Sequence, residues 1–136
     1  MQKIFIIFIL LLKSNFAFSQ TPAITMLNCF YNYSNNYYEV RLKTNQISNF
    51  SLGTSVISII LPSTELNQAL VIESINGGSW GDSNRSYDIG AKDYHGIVTN
   101  GQSNISYTAG TSIILFRFKL SGACKEGVRL WQNTWI

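Results

Sequence analysis

A chain of 136 residues that is 46% hydrophobic, 13% aromatic and only 12% charged has the length and apolar content for one packed domain. Its formal charge of +3 owes two units to Lys3 and Lys13, and beyond residue 19 eight basic side chains face seven acidic ones. Those eight, Arg41, Lys43, Arg85, Lys92, Arg117, Lys119, Lys125 and Arg129, are dispersed instead of forming the basic stripe that phosphate binding requires, which argues against a nucleic-acid partner.

Residues 1–19 read as a secretory signal peptide: Lys3, then the apolar run Ile4 to Leu12, then a short polar stretch ending in Ala17-Phe18-Ser19. Small residues at Ala17 and Ser19 favour cleavage before Gln20, leaving 20–136 as a single domain. The run is far shorter than the roughly 20 apolar residues that cross a bilayer as a helix, and no later segment is longer, so no membrane span is expected in the mature chain. Export to the medium or the cell surface implies oxidising surroundings, in which Cys29 and Cys124 would tend to pair. That bridge would close a loop of about 95 residues and contribute on the order of 4 kcal/mol. Two buried free thiols are the alternative.

Further along, short runs rich in Val, Ile, Thr, Tyr and Phe alternate with Gly, Asn, Ser and Pro clusters, and no window has the period of an amphipathic helix. The aromatic stretch from Cys29 to Val40 reads as two strand ends meeting at a Ser34-Asn35-Asn36 bend. If Cys29 faces inward, Tyr31 and Tyr33 share its side, leaving Phe30 and Tyr37 as the exposed rings. Over 37–43 the apolar set is Tyr38, Val40 and Leu42, with Glu39, Arg41 and Lys43 toward solvent. Residues 55–61 and 69–75 are apolar almost throughout, as expected of interior strands, and 63–69 suits one short turn after Pro62. In 111–120 Ile114, Phe116, Phe118 and Leu120 form one face, and the other begins with Ile113 and Leu115 before Arg117 and Lys119, so the first half is expected to be covered on both sides and the second on one; at the end Val128 and Leu130 point inward and Arg129 and Trp131 outward.

The blocks Ser55-Val-Ile-Ser-Ile-Ile-Leu-Pro62, Ile75-Asn-Gly-Gly-Ser-Trp80, Tyr107 to Cys124 with its Ala109-Gly110-Thr111 turn, and Gly127 to Asn133 resemble the cohesin-like β-sandwich domains of bacterial secreted and cell-surface proteins. Those domains are similar in fold to cohesins and to one class of carbohydrate-binding modules. The resemblance covers about residues 50–133 and implies an all-β, two-sheet, jelly-roll-like sandwich of about eight or nine strands. It also implies a non-catalytic module for extracellular adhesion, assembly or scaffolding. No position matches a cohesin partner-binding motif.

Chemistry-bearing residues are sparse. His95 is the only histidine; Asp93 lies two positions away, no Gly-x-Ser-x-Gly elbow is present, and an exposed loop or edge histidine is the expectation. The seven carboxylates, Glu39, Glu65, Glu73, Asp82, Asp88, Asp93 and Glu126, include no pair that spacing selects for glycoside hydrolysis, so no catalytic residue is assigned. Asp82 and Asn84 open a D-x-N stretch without the glycine or distal glutamate of a calcium loop, and two cysteines with one histidine do not make structural zinc. No metal or cofactor is expected. The candidate ligand-binding residues are the rings Trp80, Tyr87, Tyr94 and Trp131, suited to stacking on a sugar face. The expected partner is an extracellular protein, with polysaccharide as the alternative.

Overall fold

The computed structural model describes residues 24–45 and 48–131, so the expected signal peptide and its cleavage point lie outside the described residues. Among these residues there are ten strands and no helix: β1 (Ile24–Asn32), β2 (Tyr37–Thr44), β3 (Ser48–Leu52), β4 (Ser55–Pro62), β5 (Ile72–Ser74), β6 (Trp80–Ser86), β7 (Lys92–Thr99), β8 (Gln102–Tyr107), β9 (Ser112–Phe118) and β10 (Arg129–Leu130). They form two antiparallel four-stranded sheets, ordered β1-β2-β9-β5 and β10-β4-β7-β6, with β3 and β8 pairing apart. The architecture is all-β and sandwich-like.

Alternation explains the core. Tyr38, Val40 and Leu42 of β2 are buried, and with Phe116 and Phe118 of β9 they join Ile57, Ile59 and Leu61 of β4 and Ile97 of β7 in one cluster. The aromatic stretch feeds the same cluster. Tyr38 stacks on Phe118 with centroids 5.2 Å apart, and Tyr31 meets Tyr38 edge-on at 4.8 Å. The bend is as expected: Asn36 adopts φ 60°, and the Asn36 N–H donates to the Asn32 carbonyl at 2.8 Å. Because β1 stops at Asn32, however, Tyr33 escapes the inward parity and is 77% exposed.

Two strands depart from the pattern for identifiable reasons. In β9 the register runs from Val40↔Phe116 to Arg41↔Ile114, leaving Leu115 as the extra residue of a bulge. Parity reverses there: Leu115 is buried, Ile113 packs on the core, and Ile114 is not the inward residue. The freed Leu115 carbonyl accepts the N–H groups of Ile75 and Asn76, both at 2.9 Å. The expected interior strand at 69–75 shrinks to β5, a three-residue edge with Val71 87% exposed. The stretch 63–69 holds turns, with the Glu65 N–H donating to the Pro62 carbonyl at 3.1 Å.

Glu39, expected toward solvent, lies on the outer face yet is buried. Asn32 and Asn35 donate to its Oε1 at 2.9 and 3.1 Å, and the Arg41 Nε donates to Oε2 at 3.0 Å. Burial works to raise this carboxyl, but the bonds from Arg41, Asn35 and Asn32 outweigh it and hold it below the ordinary glutamate value of 4.5. A lowered folded-state value stabilises the fold above the unfolded value and loses that contribution as pH falls through it. The stability advantage of wild type over Glu39→Gln is therefore expected at neutral pH and should shrink progressively below about pH 4.5 in urea titrations.

Candidate functional site

The outer face of the second sheet is shaped by small residues. Asn84, Gly96 and Ser58 lie side by side on β6, β7 and β4 in the strand register. The chain after β10 extends this row, because the Trp131 N–H donates to the Ser58 carbonyl at 2.9 Å. Leu130, opposite Ile59, turns into the core, so strand parity sends Trp131 outward, where it is 50% exposed. Tyr94, paired with Ser86, rises on one side of the row and Val56 on the other. The result is an open groove floored by Gly96 and Ser58 and bounded by Tyr94, Trp131, Val56, Asn84 and Ser86, with Arg85 and His95 also contributing.

Two of the four candidate rings, Tyr94 and Trp131, therefore share one groove. Tyr87 does not line it and meets the His95 ring edge-on at 5.8 Å. Trp80 belongs to the interior: it is 4% exposed, its Nε1–H donates to the Asn76 carbonyl at 2.7 Å, and its ring lies 4.9 Å from Phe116. A ring so covered closes one end of the core and presents no face to a ligand.

His95 is not on a loop or an edge. It is buried in β7 with Nδ1 2.7 Å from Asp82 Oδ2, and Asp93 is not its partner. That same Oδ2 accepts the Leu70 N–H at 2.8 Å, so Asp82 ties β6, β7 and the segment before β5 together. Asp93 instead accepts the Asp88 N–H at 2.8 Å. The His95 Nε2 is buried and has no hydrogen-bond partner among the described residues. The pair ties β6 to β7. The D-x-N stretch of Asp82 and Asn84 likewise lies in a strand and not in a solvated turn, and among the described residues no three His, Cys, Asp or Glu side chains gather to hold a metal ion.

The anticipated disulfide is not formed. Cys29 and Cys124 are both free thiols: Cys29 is partly buried against the core, whereas Cys124 is exposed. The Cys124 loop is anchored separately, since the Lys125 N–H donates to the Tyr38 hydroxyl. Desolvation pushes the Cys29 thiol up to about 12, so it is not a reactive thiolate at neutral pH.

The first sheet presents a different outer face. The Tyr37 ring has Arg117 and Lys119 each 4.3 Å from its centroid, and Arg117 is paired with Glu73 of β5. A second concavity there is lined by Met26, Phe30, Tyr33, Arg41 and Lys43 over Glu39. Among the described residues no helix is long and apolar enough to cross a membrane.

Comparison with family models, with curated proteins and with solved structures gives no match. The groove must therefore be read from its own chemistry. Tyr94 and Trp131 supply flat apolar faces; Ser58, Ser86, Asn84 and Arg85 supply hydroxyl, amide and guanidinium groups around a floor kept low by Gly96. Sequence inspection passes over these polar members. Ser58 carries a signal, being the polar residue at outward parity within Ile57-Ser58-Ile59, but Gly96 and Asn84 meet it only through sheet pairing.

Proposed function

We propose that this chain is an exported, non-catalytic, jelly-roll-like domain that binds polysaccharide in the groove across β6, β7, β4 and the residue after β10. The observation that carries this reading is the convergence of Tyr94 and Trp131 on one open groove whose remaining rim is polar. A sugar ring has an apolar C–H face and an equatorial belt of hydroxyls, so it matches aromatic faces flanked by hydroxyl, amide and guanidinium groups. An open groove of this kind suits a chain passing across it better than a small molecule enclosed on all sides.

Affinity electrophoresis through gels containing a panel of neutral and acidic polysaccharides tests the reading. At least one polymer should retard the protein. Trp131→Ala and Tyr94→Ala should each weaken retention about tenfold, or about 1.4 kcal/mol. Tyr33→Ala, on the other side of the molecule, should leave it unchanged. Unaltered mobility on every polymer would remove the proposal.

Adhesion or assembly through protein contacts is favoured by a separate feature, the long outer edge of β1.

A further inference from the structure

We infer that β1 is a self-association edge, through which two copies of this chain pair antiparallel about a two-fold axis and join their first sheets. The inference is independent of saccharide binding and rests on how the edges of the two large sheets are built.

An unpaired strand edge presents a row of backbone donors and acceptors, and proteins that remain monomeric blunt it with short length, charge, proline or bulges. Three of the four edges are blunted. β5 has three residues and carries Glu73 in an ion pair with Arg117; β10 has two residues; β6 shifts register between Asp82 and Asn84 and carries Arg85. β1 is the exception. At nine residues it is the longest strand, its register shift lies at its first residues, between Ile24 and Met26, and the regular stretch 26–32 holds no charge and no proline. β10 approaches β1 across the open side of the sandwich but does not pair with it.

Two details mark this edge, with which no second strand among the described residues pairs. The Cys29 N–H is taken by the side chain next to it, Asn28 Oδ1 at 2.8 Å. On the inner side Leu27, Cys29 and Tyr31 pack against the core yet remain only partly buried, and on the outer side Ile24 and Phe30 are exposed. A strand added here would complete the first set and cover part of the second.

The occupant is a second copy because the molecule's own best match to a long uncharged edge is that edge itself. Pairing β1 with β5 or β10 of another copy would satisfy no more than three residues, and pairing it with β6 would meet the register shift and Arg85 there, whereas β1 with β1 aligns the regular stretch 26–32 without opposing like charges. Such an interface is isologous, uses up both free edges and stops at two copies.

Light scattering coupled to size exclusion, from low micromolar to near-millimolar concentration, is the test. The purified chain should approach twice the monomer mass as concentration rises. Phe30→Lys, which sets a charge on the edge, should raise the concentration for half-association at least tenfold with an unchanged circular dichroism spectrum. Leu66→Lys, at an exposed apolar residue away from β1, should associate as wild type does. A monomer at every concentration, or association that Phe30→Lys leaves intact, would overturn the inference.

Discussion

Replacing Gly101 with alanine is expected to destabilise the fold by about 3 kcal/mol or more. Gly101 lies between β7 and β8 at φ 84°, where a side chain is strained whatever the space around it. Space is also lacking: a Cβ there would stand 2.0 Å from the Leu52 carbonyl oxygen and 2.8 Å from the Gly53 carbonyl carbon. Both obstacles are backbone, so no rotamer change relieves them. Left-handed strain costs about 1–3 kcal/mol, and overpacking a filled site adds about the same. Gly78, at φ 95°, approaches the Gly101 carbonyl from the other side, and Thr99 Oγ1 bonds to the Gly77 carbonyl at 2.7 Å, so displacement of Gly101 propagates into the loop before β6. Urea denaturation should show a much lower midpoint for Gly101→Ala. Gly53→Ala, where a Cβ meets nothing within 4 Å, should lie within about 0.5 kcal/mol of wild type.

Asp82→Ala is the second substitution with a large expected effect. One oxygen, Oδ2, accepts from both the Leu70 N–H and the His95 ring, and the side chains of Asp82 and His95 are each 1% exposed. Removing the carboxylate leaves two buried polar groups without partners where water does not reach. Breaking a buried, bonded pair from one side costs about 3–5 kcal/mol. In a domain of this size the melting temperature should fall by on the order of 10 °C. Asp82→Asn keeps one acceptor oxygen and should lose roughly half as much, a gradation that separates loss of the tie from a general volume effect.

Much of the fold was legible because burial in a strand has period two. β2 declares itself through Tyr38, Val40 and Leu42, and the outward turn of Trp131 follows from Leu130. The misreadings share a cause: composition does not specify pairing. A bulge at Leu115 reverses the parity of β9, and nothing in Ile113-Ile114-Leu115-Phe116 marks which residue is the extra one. Apolar residues 69–75 look interior but meet the sheet only at its border, through Ile72, Glu73 and Ser74. His95 was expected on an exposed loop or strand edge, yet in β7 the residues Asp93, His95, Ile97 and Thr99 all turn inward. Two of these inward residues are titratable: His95 pairs with Asp82, 13 positions away, and Asp93 accepts from the nearby Asp88 N–H. The groove shows the same limit. Tyr94 and Trp131 were recognisable as candidate rings, but their proximity depends on β7, β4 and the residue after β10 being laid side by side. Its setting between glycine-rich turns leaves Trp80 either capping one end of the core or projecting outward; it is buried, with its indole N–H donating to the Asn76 carbonyl.

The most direct measurement is backbone and indole chemical-shift mapping on isotope-labelled protein titrated with oligosaccharides cut from whichever polymer retards it. Binding in the groove predicts shifts concentrated at Ser58, Asn84, Ser86, Tyr94, Gly96 and the Trp131 indole, with the Trp80 indole and the Phe30–Tyr33 region unmoved. Shifts centred on Phe30, Tyr33 and Lys43 would place the ligand on the opposite sheet and contradict the assignment, as would a spectrum unchanged at saturating saccharide.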